Sequence, residues 1–260
     1  MDEGKTYILW YRLRGLGLLC LCSLVFFMGA HIAQRDSIAV SVTADGRELP
    51  VCCVQTDRKQ AALTFDTVSG SGDVPELLGV LAARGVKATF FVTGEWAQTY
   101  PEEARQIAAA GHDLGSLGQS HRNMREMTKS EAQQEIQAAH EAVRTVTGAE
   151  MKLFRAPYGS YDNALLQTVR LSGYLPVQWD VDSEDWKSYG TDSVLREVAQ
   201  NRHLGNGSII LMHSGAEDAV QSLDGVIAAL QEQGYELVPV SQLVRWGDYH
   251  IDGEGRQIPD

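Results

Sequence analysis

An α/β fold built on a parallel sheet, either a barrel or a doubly wound sheet, is predicted by three features of the sequence. Apolar runs of strand length alternate with helical patterns. The helical patterns have readable ends. Polar residues recur just past the C-terminal ends of the strand candidates: Asp66, His121, Arg155, Asp182 and His213. That edge is where α/β folds usually build their chemistry.

The strand candidates are 61–65, 88–92, 113–116, 153–155, 175–179, 208–212 and 236–238. Between them, Pro75 suits a first helical turn, and Gly85 and Gly111 suit helix ends. Thr128 and Glu131 form a capping box, and Gly148 supplies the stop of the same helix. Inside it Ala132, Ile136, Ala139, Val143 and Val146 step by four and three, which makes one buried stripe. His112 reads as a structural residue at the entry to a strand, and Cys52 and Cys53 as two small apolar residues on a short one.

Composition narrows the function classes. The 260 residues carry 22 Lys and Arg against 34 Asp and Glu, a formal charge of −12, which disfavours any partner that is itself a polyanion. No nucleic-acid role is expected. The apolar share of 44 % is enough for a packed core and excludes a disordered chain. Four cysteines are too few for a disulfide scaffold.

From Gly15 to Gln34 no charged residue occurs, and Arg12 and Arg14 stand just before the run. Twenty such residues rise about 30 Å as a helix, the thickness of a bilayer core. The basic flank predicts a cytoplasmic N-terminus with the remainder outside. The residues before either cleavage position, Ala30 or Ala33, fit a signal peptidase poorly, so an uncleaved single-pass anchor is expected. The resulting organisation is a cytoplasmic stub and anchor over 1–35, a stem over 36–58, a domain over 59–247 and a mobile polar tail over 248–260. The partner expected through that helix is the membrane.

Five segments occur in the order of a known family's motifs. They are Leu63-Thr-Phe-Asp66, Gly111-His-Asp-Leu-Gly115 through His121, Phe154-Arg-Ala-Pro-Tyr-Gly159, Trp179-Asp-Val-Asp-Ser-Glu-Asp-Trp186 and Ile210-Leu-Met-His213. Together they resemble the polysaccharide deacetylases, the NodB-homology domains of carbohydrate esterase family four, over residues 59–247. The resemblance implies a distorted (β/α) barrel of the NodB-homology type that removes acetyl groups from N-acetylhexosamine polymers of the cell wall, peptidoglycan or chitin-like, with that cell-wall glycan as its partner. By the same resemblance Asp66 is the base, His213 the acid, and Asp182, near Arg155, sets the charge state of Asp66. A carboxylate beside an arginine stays ionised, as a base requires. Backbone N–H groups near Tyr158 would help hold the oxyanion. Tyr158, Trp179, Trp186 and Leu211 would line the sugar groove.

The family's divalent metal, zinc or another, is the cofactor the resemblance implies, held by an Asp after the base and two His four residues apart. This chain has Thr67 and Leu117 at two of those positions and keeps only His121. A catalytic zinc needs three protein ligands and an open position, so a family-type site should not form. Lewis-acid polarisation is worth several kcal/mol, and its loss would cost about a thousandfold or more in rate. Two readings follow: a metal-poor deacetylase-type hydrolase, or an inactive glycan-binding or scaffolding relative. The altered first motif also resembles the sporulation-associated branch of the family. Glu184 and Asp185 read as a solvated loop, although Asp185 falls on a motif position.

Overall fold

The structure is a computed structural model and describes residues 46–70 and 72–260. The apolar run over 15–34, and the membrane anchor expected of it, lie outside the described residues. The strands in chain order are β1 (Cys53–Val54), β2 (Gln60–Thr67), β3 (Thr89–Val92), β4 (Asp113–Ser116), β5 (Leu153–Phe154) and β6 (Leu175–Pro176). There follow β7 (Val181–Asp182), β8 (Ser208–His213), β9 (Glu236–Leu237), β10 (Tyr249–Ile251) and β11 (Arg256–Pro259). The helices that matter below are α1 (Val74–Ala83), α2 (Gly94–Thr99), α3 (Pro101–Ala109), α4 (Lys129–Thr147) and α5 (Asn163–Leu171). Further along come α6 (Thr191–Ala199), α7 (Ala219–Glu232) and the single turn α8 (Val240–Leu243).

β2 is the central strand and is buried at all eight positions. A parallel strand covered on both faces reads as a nearly unbroken apolar run, and Ala61-Ala-Leu-Thr-Phe65 does so. β8 and β3 flank it in parallel, and β4, β5 and β6 continue beyond β3. Val51 closes the curl: its N–H donates to Pro176 O at 2.9 Å and its carbonyl accepts from Gln178 N at 2.8 Å, while Cys53 pairs with Ser208 of β8. One short segment therefore joins both ends of the sheet into a distorted barrel. Leu63, Phe65, Phe90, Val92, Ile210 and Met212 pack outward into the helical layer. α4 starts on the expected capping box and stops at Gly148, whose φ of 73° suits a residue without a Cβ.

Two expected boundaries are corrected. The stem expectation fails over 48–54, where Glu48 is buried in an ion pair with Arg170 of α5 and also accepts from Gln167 Nε2 at 2.6 Å. Such a carboxylate looks solvated in sequence, because the cation that neutralises it lies 122 residues away. The tail expectation fails as well. β10 and β11 form an antiparallel hairpin, and β11 pairs in parallel with β1. Gln257 at its centre is fully buried, with its amide bonded both ways to the Arg245 backbone at 2.8 and 3.0 Å. An uncovered edge at β1 would leave unpaired backbone groups, and the polar tail covers it. Among the described residues Cys52 and Cys53 are free thiols, Cys53 buried on β1, and burial pushes both up to about 12.

Candidate active site

The neighbouring parallel strands β2 and β8 are in register, so Asp66 is the partner of His213. Strand spacing of about 4.8 Å brings the two side chains to one mouth of the barrel. Arg155, just past β5, reaches the same place from below and is 0 % exposed. Its Nη1 donates to Asp66 Oδ1 at 2.6 Å, and its Nη2 donates to Thr64 Oγ1 at 2.9 Å and to Gln178 O at 3.2 Å. Phe91 lies under the guanidinium at 4.0 Å and Trp179 beside it at 5.4 Å. Burial pushes the guanidinium down from its ordinary value and the Asp66 charge pushes it back. Gly115 makes room for this stack, since a Cβ there would stand 2.5 Å from the Phe91 ring.

His213 is gripped by Asp185. One Asp185 oxygen accepts from the His213 backbone N–H at 2.8 Å, and the other lies 2.8 Å from Nδ1. Burial alone would push the imidazole down, but the Asp185 hydrogen bond and charge, with Asp66 and Asp182 behind them, raise it. The protonated form is favoured, as a proton donor needs. Asp185 is therefore no solvated loop residue; it is 0 % exposed. Asp182 is half-buried on β7 and accepts from Glu184 N at 2.9 Å, and burial raises its carboxyl. The direct cation partner of Asp66 is Arg155, with Asp182 acting on the site as a nearby charge only. The missed role of Asp185 had one signal in sequence, its motif position.

Glu135 of α4 shapes the turn before His121, accepting from the N–H groups of Gln119 and Ser120 at 2.9 and 3.0 Å. His121 sits at φ 52°, and Tyr158 at φ 60°, with their rings 4.7 Å apart. Left-handed backbone costs a residue with a Cβ about 1 kcal/mol or more, which is tolerated where it aims side chains at a site. Burial lowers His121 against the raising charge of Asp66. Near it, Thr67 and Leu117 are both fully buried, and the Thr67 hydroxyl has no partner among the described residues. Leu117 presents no donor atom, a neutral hydroxyl is a poor substitute for a carboxylate, and one imidazole remains. This donor set does not fit a family-type divalent metal, and no group of three His, Cys, Asp or Glu side chains suited to a metal occurs among the described residues.

The rim is aromatic. Tyr158, whose ring meets His121, is 71 % exposed, and Trp186, next to Asp185 in sequence, is 56 % exposed. Leu211 is buried in β8 between Thr64 and Asp182, so it belongs to the floor rather than to the open groove. The N–H groups of Gly159 and Ser160 donate to Ala156 O and Pro157 O within the turn, which leaves those two spent.

A polysaccharide deacetylase family model matches residues 54–177. The chain is 32 % identical over 227 residues to a peptidoglycan-N-acetylglucosamine deacetylase of Bacillus cereus, covering 82 % of each chain. Its fold is similar to that of a CE4 family pseudoenzyme from Bacillus anthracis, with a TM-score of 0.71, 26 % identity, and 81 % of this chain and 73 % of that one covered. A mutant CE4 family pseudoenzyme with restored enzymatic activity superposes with a TM-score of 0.71 at 29 % identity, over 75 % of this chain and 70 % of that one. With the barrel, the ordered motifs and this identity in agreement, the chain belongs to the polysaccharide deacetylase family.

Proposed function

We propose that this chain is a deacetylase-type hydrolase of cell-wall glycan whose cleft handles protons without the family's metal. The observation that carries the reading is the register pairing of Asp66 with His213, each held by its own buried partner, Arg155 and Asp185. In this reading Asp66 takes a proton from water, and the water oxygen attacks the acetyl carbonyl. Protonated His213 then donates to the leaving amine as the C–N bond breaks, releasing acetate. Without Lewis-acid help the rate is about a thousandfold or more below that of a metal-loaded relative. The Bacillus cereus relative's name supports peptidoglycan as the polymer. The charge-free run over 15–34 behind Arg12 and Arg14 supports a single-pass anchor with the barrel outside the cell membrane.

A second reading has its own observation. Leu117 and Thr67 are fully buried at two of the family's three metal-ligand positions, and the pseudoenzyme neighbours share the fold, which supports a glycan-binding relative without turnover. Acetate release from acetylated chitooligomers and peptidoglycan, measured with a chelator present, separates the two. Release that persists with chelator and vanishes in Asp66→Asn supports the hydrolase. Glycan binding with no release by the parent chain supports the second reading.

A further inference from the structure

His121 has lost the two partners with which it would hold a metal, and its ring is left with the chemistry of a hydrogen-bond donor. Its backbone is left-handed at φ 52°, and the ring lies against that of Tyr158 at 4.7 Å. The Asp66 carboxylate and the His213 imidazole are both close enough for their charges to act on it. The residue is half-buried, and neither ring nitrogen makes a hydrogen bond or ion pair among the described residues. An imidazole carries at least one N–H in either protonation state, so donation from this ring needs no titration.

Amide hydrolysis at this pair requires such a donor. As the water oxygen bonds to the acetyl carbon and Asp66 takes the water proton, the C=O π pair moves onto the carbonyl oxygen, where a positive group or an N–H must meet it. Other donors around the pair are committed. Arg155 is fully buried, with Nη1 on Asp66 and Nη2 on Thr64 and Gln178. The N–H groups of Gly159 and Ser160 are bonded within their own turn. His213 has one ring nitrogen on Asp185, and the leaving amine needs the other. The Thr67 hydroxyl is sealed from solvent and therefore from substrate.

We infer that His121 is a catalytic residue of the metal-free reaction, its ring N–H donating to the acetyl oxygen as that oxygen becomes negative. The inference rests on the hydrolase reading above and adds how the oxyanion is met. When the intermediate collapses, the electron pair returns to the carbonyl, the C–N bond breaks and the amine takes the His213 proton, so His121 ends as it began. Acetate release from acetylated chitooligomers by the intact chain, with a chelator present, tests it. A donor engaged only in the transition state acts on kcat and leaves KM nearly unchanged. His121→Phe keeps a ring for Tyr158 without an N–H, and kcat should fall about 10²–10³-fold. His121→Gly suits the left-handed backbone and is the second loss variant should the first not fold; added imidazole should recover part of its kcat. An oligomer carrying a methylphosphonamidate in place of the acetamido group mimics the anionic intermediate. Its affinity should fall in both variants by about the factor lost from kcat, while that of the deacetylated oligomer holds. Release by the parent with kcat or mimic affinity unchanged in the variants would overturn the role of His121 and leave the hydrolase reading standing. So would a loss seen in KM instead of kcat, or one that imidazole does not recover. No release by the parent chain would overturn both.

Discussion

Asp185 uses both carboxylate oxygens on one residue, accepting from the backbone N–H of His213 and meeting its Nδ1, each at 2.8 Å. The side chain is thereby fixed in position, and its ring is held in the protonated form by the same group.

Replacing that carboxylate has a definite sign. Because His213 is raised in the fold above its ordinary value of 6.5, its proton stabilises the protein below that pH, and the contribution is lost as pH rises through the raised value. Asp185→Asn should lower the His213 titration midpoint in an NMR pH series and flatten the stability change across that window. A midpoint unchanged in the variant would refute the assignment of Asp185.

The Arg155–Asp66 pair is buried, so removing one member strands the other. Arg155→Met should destabilise the fold by about 3–5 kcal/mol in denaturant titration, because the Asp66 charge loses the buried guanidinium that pairs with it. Arg155→Lys should rescue little, since a single ammonium cannot serve Asp66, Thr64 and Gln178 together.

His112 moves the opposite way from His213. Its Nδ1 accepts from Ala88 N at 3.1 Å, and burial, with Lys87 adding to it, lowers the ring to about 4. A depressed histidine supports the fold above 6.5, and that support is lost as pH falls toward 4. The loss is worth about 2 kcal/mol after allowance for solvent at the ring edge. His112→Asn keeps an acceptor near Ala88 and should reduce the acid slope of stability between those values.

Restoring the family's ligand pattern should restore metal affinity. Thr67→Asp with Leu117→His should bind zinc in a calorimetric titration, and zinc should raise the melting temperature of that variant alone. Without zinc the same variant should be less stable than the parent, because an imidazole then occupies a fully buried apolar site. Tight zinc binding by the parent would refute the account of its donor set.

Gly115→Ala should act through a ring. A methyl group 2.5 Å from Phe91 must push that ring toward the Arg155 guanidinium it supports at 4.0 Å. The expected cost is about 1–3 kcal/mol by urea unfolding, partly recovered when Phe91→Leu is added.

The sequence by itself determined the strands and helices with strong local signals. β2 and β8 are apolar runs, α4 has its capping box at Thr128 and its stop at Gly148, and the chain order of the five motifs brought Asp66, Arg155 and His213 to one mouth. Periodicity and capping act over a few residues, so a reader of sequence can see them. Tertiary structure alone decided which carboxylate holds His213, since burial of Asp185 in a loop depends on what packs over it and leaves no period. It also decided that 48–54 and the polar tail belong to the sheet, because Glu48 and Gln257 look like surface residues until Arg170 and the Arg245 backbone, distant or unremarkable in sequence, meet their polar groups. A buried polar atom is stable only with its partner in place, and that partner is supplied by the fold rather than by the neighbouring residues.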